Sequence, residues 1–128
     1  MKPLNIEKEV KKDCLTMTIW SREPHRAWFY ASVFGTAFER LQSHKMLSEM
    51  TIEQQNEGKD YSNTQTYDFV FTLDQGGEWD EDKIYPINVL QNIILTIIQG
   101  RTVADLCKAD TPILDVAEKA VKEYRAVE

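Results

Sequence analysis

Between Thr66 and Leu73 the chain alternates strictly: Tyr67, Phe69, Phe71 and Leu73 fall on one parity, Thr66, Asp68, Val70 and Thr72 on the other. A period of two in a run of β-branched and aromatic residues specifies a strand, because successive side chains leave a strand on opposite faces. One of those faces carries three aromatic rings and a leucine. It has to be covered, so the chain must build a sheet with a core on at least one side. Leu15, Met17 and Ile19 alternate with Thr16, Thr18 and Trp20 in the same way and predict a second strand. Leu4, Ile6 and Val10 before it fit a partner strand, with Lys11-Lys12-Asp13 as the turn. The spacing of Ile6 and Val10 also fits a short helix.

Helical periodicity follows. Pro24 is suited to the first turn of a helix, where its missing N–H is harmless, with Ser21 or Glu23 as the cap. Ala27, Trp28, Ala31, Phe34, Phe38 and Leu41 then recur at helical spacing to about Ser43, and Phe29, Tyr30, Val33 and Ala37 make the other side apolar too. A helix is expected from Pro86, with Ile87, Leu90, Ile94, Ile97 and Ile98 on one face and Gly100 just past its end. A short helix with Val103, Leu106 and Cys107 is expected after Thr102. Thr111-Pro112 opens the last one, on which Ile113, Val116, Ala117, Ala120, Val121 and Tyr124 form a single apolar face.

Three segments between these elements are read from polarity. Lys45–Glu53 predicts a short helical turn, with Thr51 and Gln54 in capping-box positions. Gln54–Gln65, whose one large apolar residue is Tyr61, predicts a long loop. Asp74-Gln75-Gly76-Gly77 predicts a turn, from which Glu78–Tyr85 returns as a charged edge strand. The sum is an α+β fold: a small antiparallel sheet of about four strands with helices packed on one face, in a single domain over residues 1–128. Apolar helix surface beyond what a small sheet can cover points to a homodimer.

Charge is unevenly placed. Ten of the twenty-one acidic residues lie between Glu49 and Asp82 with only Lys59 as a base, a local charge of −9 in a chain whose net charge is −6. An acidic chain lacks the basic face that nucleic-acid binding needs. The longest apolar run, Ile93–Ile98, is too short to cross a membrane. The N-terminal residues Met1–Glu7 lack the apolar stretch of a secretory signal, and Cys14 and Cys107 stand far apart with no CxxC. A cytoplasmic protein with reduced thiols and no cofactor is expected. Small acidic inhibitors, immunity-type partners and adaptors of bacteria and phages share this size and charge, which is analogy and not a residue-level argument.

Two candidate surfaces emerge. The first is Asp74, Glu78, Trp79, Asp80 and Asp82, four carboxylates around a tryptophan, suited to a protein partner with a basic surface. The same carboxylates, with Glu81, would attract a hard cation, but the EF-hand spacing is missing and no metal site is expected. The second surface is Trp20, Arg22, His25, Arg26 and Trp28, where bases cluster at a helix start that favours anions. It would serve a small-molecule binder or enzyme whose pocket lies between Tyr67, Phe69 and Phe71 and the helix residues Trp28, Phe29 and Phe34. Catalytic signatures are absent: the histidines are His25 and His44 alone, no nucleophile or zinc motif occurs, and a His25 base paired with Asp68 depends on the fold bringing them together.

Overall fold

The computed structural model describes residues 4–11, 13–43, 50–60, 65–100 and 111–126. They form seven elements: β1 (Asn5–Lys11), β2 (Cys14–Ser21), α1 (Pro24–Ser43), β3 (Met50–Asp60), β4 (Gln65–Leu73), α2 (Glu81–Ile98) and α3 (Thr111–Arg125). The fold is α+β, with a four-stranded antiparallel sheet in the order β1-β2-β4-β3 and three helices. Contacts divide it into two compact units. One comprises β1, β2, the first two turns of α1, β3, β4 and the segment through Asp80; the other comprises the rest of α1 with α2 and α3.

In the sheet unit the two alternating segments are neighbours. Leu15 lies opposite Phe71, Met17 opposite Phe69 and Ile19 opposite Tyr67, and all six are buried. Leu73 continues that face opposite Met50, also buried. Cross-strand aromatic and aliphatic pairs of this kind fix the register, since a slip of one residue would turn every apolar side chain outward. Ala27, Phe29, Tyr30 and Ala31 at the start of α1 are buried as well. The β1–β2 pairing with Lys11 opposite Cys14 places the first turn where it was expected and selects strand over helix for Ile6–Val10.

The start of α1 is set by two backbone groups. The Glu23 N–H donates to the buried Ser21 hydroxyl at 3.1 Å, and the Glu23 carbonyl accepts the first helical bond, from the Arg26 N–H at 3.0 Å. Glu23 therefore holds the N-cap position and Ser21 orients the residue before the helix.

In the helical unit, Val33, Phe34, Ala37, Phe38 and Leu41 of α1, Ile87, Leu90, Ile93 and Ile94 of α2, and Ala117, Ala120 and Val121 of α3 are buried. The Thr36 and Tyr124 hydroxyls are hydrogen-bonded at 2.8 Å, and Arg40 pairs with Glu123, which ties α1 to α3. Gly100, at φ 72°, closes α2 by donating its N–H to the Ile97 carbonyl at 3.1 Å, the glycine ending anticipated for this helix.

Three expectations fail. Met50–Asp60 is a strand where a helical turn and a long loop were predicted, and Thr51 is not a cap. β3 is an edge strand whose order comes from its ladder to β4, from Met50 opposite Leu73 to Gln55 opposite Asp68, so it does not need a fully apolar face. Glu78–Tyr85 does not return as a strand: Glu78–Asp80 has no regular structure and α2 already begins at Glu81. Glu81 and Asp82 occupy its first turn, where carboxylates favour the positive end of the helix dipole. Pro86 accordingly lies inside α2 and does not open it. The helix expected after Thr102 with Cys107, the residues 45–49 of the expected helical turn, Tyr61 and His44 lie outside the described residues.

Candidate functional site

The acidic segment leaves β4 through a tight turn. The Gly76 N–H returns to the Leu73 carbonyl at 3.1 Å, and Gly76 and Gly77 both have positive φ, 69° and 99°, which turns the chain away from the sheet. A side chain at Gly76 would meet no steric obstacle, so its glycine is required by φ and not by space. Asp74 is held by the Thr51 hydroxyl, which donates to Asp74 Oδ1 at 2.8 Å. Five residues on, Trp79 Nε1 donates to the Asp13 carbonyl in the β1–β2 turn at 3.0 Å. Asp80 then stands at the N-cap position of α2, a position that suits aspartate.

Asp74, Glu78, Asp80, Glu81 and Asp82 are all exposed, while Trp79 is half-buried. The carboxylates thus project from a segment held at two points, Asp74 and Trp79. Glu81 and Asp82 have a structural role in the helix start as well. Among the described residues, no group of three or more His, Cys, Asp or Glu side chains is placed to hold a metal ion.

The second surface lies at the other end of the sheet, because β2 runs antiparallel to β4. Trp20 is opposite Thr66 at the start of β4, whereas Cys14 is opposite Thr72 at its end. His25 and Trp28, one turn apart on α1, stack with ring centroids 5.6 Å apart and planes 23° from parallel. His25 and Arg22 are exposed; Trp20, Arg26 and Trp28 are half-buried. The rings expected to line a pocket, Tyr67, Phe69, Phe71, Phe29 and Phe34, are all buried, Phe34 and Phe71 completely. Asp68 is opposite Thr18, on the face of the sheet that does not carry these rings.

Sequence reasoning did not find what holds the acidic segment. Asp13 acts through its backbone carbonyl and Thr51 from a strand that was not anticipated, and neither leaves a sequence signal. It also passed over Lys8, opposite Met17 on the core-facing side of edge strand β1. Partial burial there lowers the ammonium pKa from its ordinary value of 10.5. Its signal is a charge at the parity shared by Ile6 and Val10.

No family model, curated protein or solved structure matches the chain. No helix of the described residues is long and apolar enough to cross a membrane.

Proposed function

We propose that the chain is a non-catalytic cytoplasmic binding module, inhibitor- or adaptor-like, that docks through Asp74, Glu78, Trp79, Asp80 and Asp82 on a basic surface of another protein. The observation that carries this reading is the tethering: exposed carboxylates on a segment held by Thr51 at Asp74 and by the bond from Trp79 to Asp13. A segment ordered in advance loses little conformational entropy on binding, so charge attraction translates into association rate and selectivity. The half-exposed Trp79 ring adds contact area beside the carboxylates.

A two-fold homodimer belongs to the same reading with narrower support. Most of the apolar side chains of α1 and α2 that suggested it are buried within a single chain, while Trp28 of α1 and Val89, Leu95, Ile97 and Ile98 of α2 are half-buried. The exposed large apolar side chains among the described residues are Val10 and Tyr85.

The test is affinity capture of the partner followed by calorimetric titration with the wild type and with E78K/D80K/D82K across a salt series. The reading expects the variant to lose affinity and the salt dependence to vanish. Because Asp82 also supports the helix start, E78Q/D80N/D82N serves as a milder control. Equal affinity and equal salt slope for all three proteins would refute it.

A further inference from the structure

The register of the sheet places every other residue of each strand on the face opposite the core. Two adjacent rows across that face read Glu9-Thr16-Val70-Glu53 and Glu7-Thr18-Asp68, the latter continued on β3 at position 55. Glu7, Glu9 and Glu53 are exposed; Thr16, Thr18, Asp68 and Val70 are half-buried. The face therefore has a floor of threonine methyls and Val70 over the two central strands. Carboxylates border it on both edge strands, and Asp68 sits within the floor. Lys11, at the corner, is already paired with Glu9 at 3.7 Å, an exposed and easily exchanged contact. A hollow of about 430 Å³ runs along the β1 border, lined by Glu7, Lys8, Glu9, Lys11, Thr16 and Thr18.

We propose that this outer face docks a basic amphipathic helix of another protein. Glu9 and Glu53 are three strand spacings apart, roughly 14 Å at about 4.8 Å per spacing, and a helix with its side chains is about 10–12 Å across. A helix laid along β2 and β4 fits between the two acidic borders. Lysine or arginine on each flank meets Glu7 and Glu9 on one side and Glu53 on the other. Small apolar residues rest on Thr16, Thr18 and Val70. Addition of a strand at either edge is disfavoured: Lys8 points to the core side of β1, and the β3 ladder shifts register between Gln55 and Lys59. The face is thus the part of the sheet open to a second layer. This surface is separate from the acidic segment after β4, and either can act without the other.

The test is an NMR titration of the isotope-labelled full chain at low salt. The probe is an alanine-rich helical peptide with lysines on both flanks of an alanine–leucine stripe, and its twin with glutamate for lysine is the control. The expected result is shift changes at Glu7, Glu9, Thr16, Thr18, Val70 and Glu53 with the lysine peptide only. E9K/E53K should weaken binding by about tenfold or more, and E9Q/E53Q by less, with unchanged circular dichroism, because these positions are exposed. Shifts confined to Asp74–Asp82, no binding of the lysine peptide, or equal affinity for E9K/E53K would each overturn the proposal. The first of these outcomes would leave the reading of the acidic segment standing, and equal partner affinity for E78K/D80K/D82K with the sheet-face shifts intact would do the reverse.

Discussion

The indole N–H of Trp79 is hydrogen-bonded to the backbone carbonyl of Asp13, 3.0 Å away and sixty-six residues earlier in the chain. That bond joins the segment after β4 to the β1–β2 turn. Trp79→Phe keeps a ring and removes the donor, so the expected cost is about 0.5–1.5 kcal/mol, read as a lower urea midpoint at unchanged slope. Amide exchange should quicken at Glu78–Asp80 and stay unchanged in β4. Exchange that is unaltered at Glu78–Asp80 would show that the Asp13 contact does not order the segment.

Pro86 lies at the sixth residue of α2, where it cannot donate to the Asp82 carbonyl. Burial of Ile87, Leu90, Ile93 and Ile94 carries the helix through that defect. Pro86→Ala restores the donor and removes the ring clash, partly offset by the greater freedom of the unfolded chain, about 0.4–1 kcal/mol. The expected net effect is a gain of about 1–2 kcal/mol in unfolding free energy, from an interior proline cost of about 3 kcal/mol reduced near the helix start. A loss of stability would mean that the proline shapes a bend on which the packing of Ile87 depends.

The elements that were legible in the sequence are those whose order comes from burial. β2, β4, α1 and α3 each show a single period over several apolar residues, and Leu15 to Ile19 and Tyr67 to Leu73 indeed face one core. β3 and the first turn of α2 were illegible for a common reason: their order comes from groups that carry no hydrophobic signal. In β3 it comes from backbone pairing, with only Met50 and Ile52 apolar on the core parity before the side chains become polar. In α2 it comes from the match of Glu81 and Asp82 to the helix dipole, which reads in sequence as a charged strand. The acidic site was legible as a cluster of charges, but its fixing by Thr51 and by the Asp13 carbonyl was not, because both partners are distant in sequence. The carboxylates of the outer sheet face were written in the Glu7-x-Glu9 alternation, and became a surface only once β3 supplied Glu53 on the far side.

Lys8 is a partly desolvated ammonium beside Met17 on the core side of an edge strand, a placement that disfavours pairing of that edge with another chain. Lys8→Ile, which exchanges the ammonium for apolar surface beside Met17, should raise the urea midpoint. It should also make the chain associate. Light scattering is expected to show mass rising with concentration for the variant and constant mass for the wild type over the same range. A variant that is more stable and shows the wild type's constant mass would indicate that the edge is blocked by something other than Lys8.

Tyr30 is fully buried in α1, and burial raises its hydroxyl pKa well above the ordinary value of 10.0. The folded protein therefore holds this proton at pH values where the unfolded chain releases it, so stability is complete below the unfolded pKa and falls as pH rises through 10 and beyond. Lys8 acts in the opposite direction. Its lowered folded pKa penalises the folded state at pH values below that pKa, and the penalty is relieved as pH rises towards its unfolded value of 10.5. The two groups therefore oppose each other near pH 10, and Lys8→Met isolates the tyrosine. In that background, absorbance at the tyrosinate band should rise in two stages, the second coinciding with loss of the far-ultraviolet circular dichroism signal. Tyr30→Phe should abolish the share of alkaline destabilisation that comes from this hydroxyl and move the unfolding transition to higher pH. Tyrosinate absorbance that develops fully before the circular dichroism changes would show that Tyr30 ionises inside the folded protein.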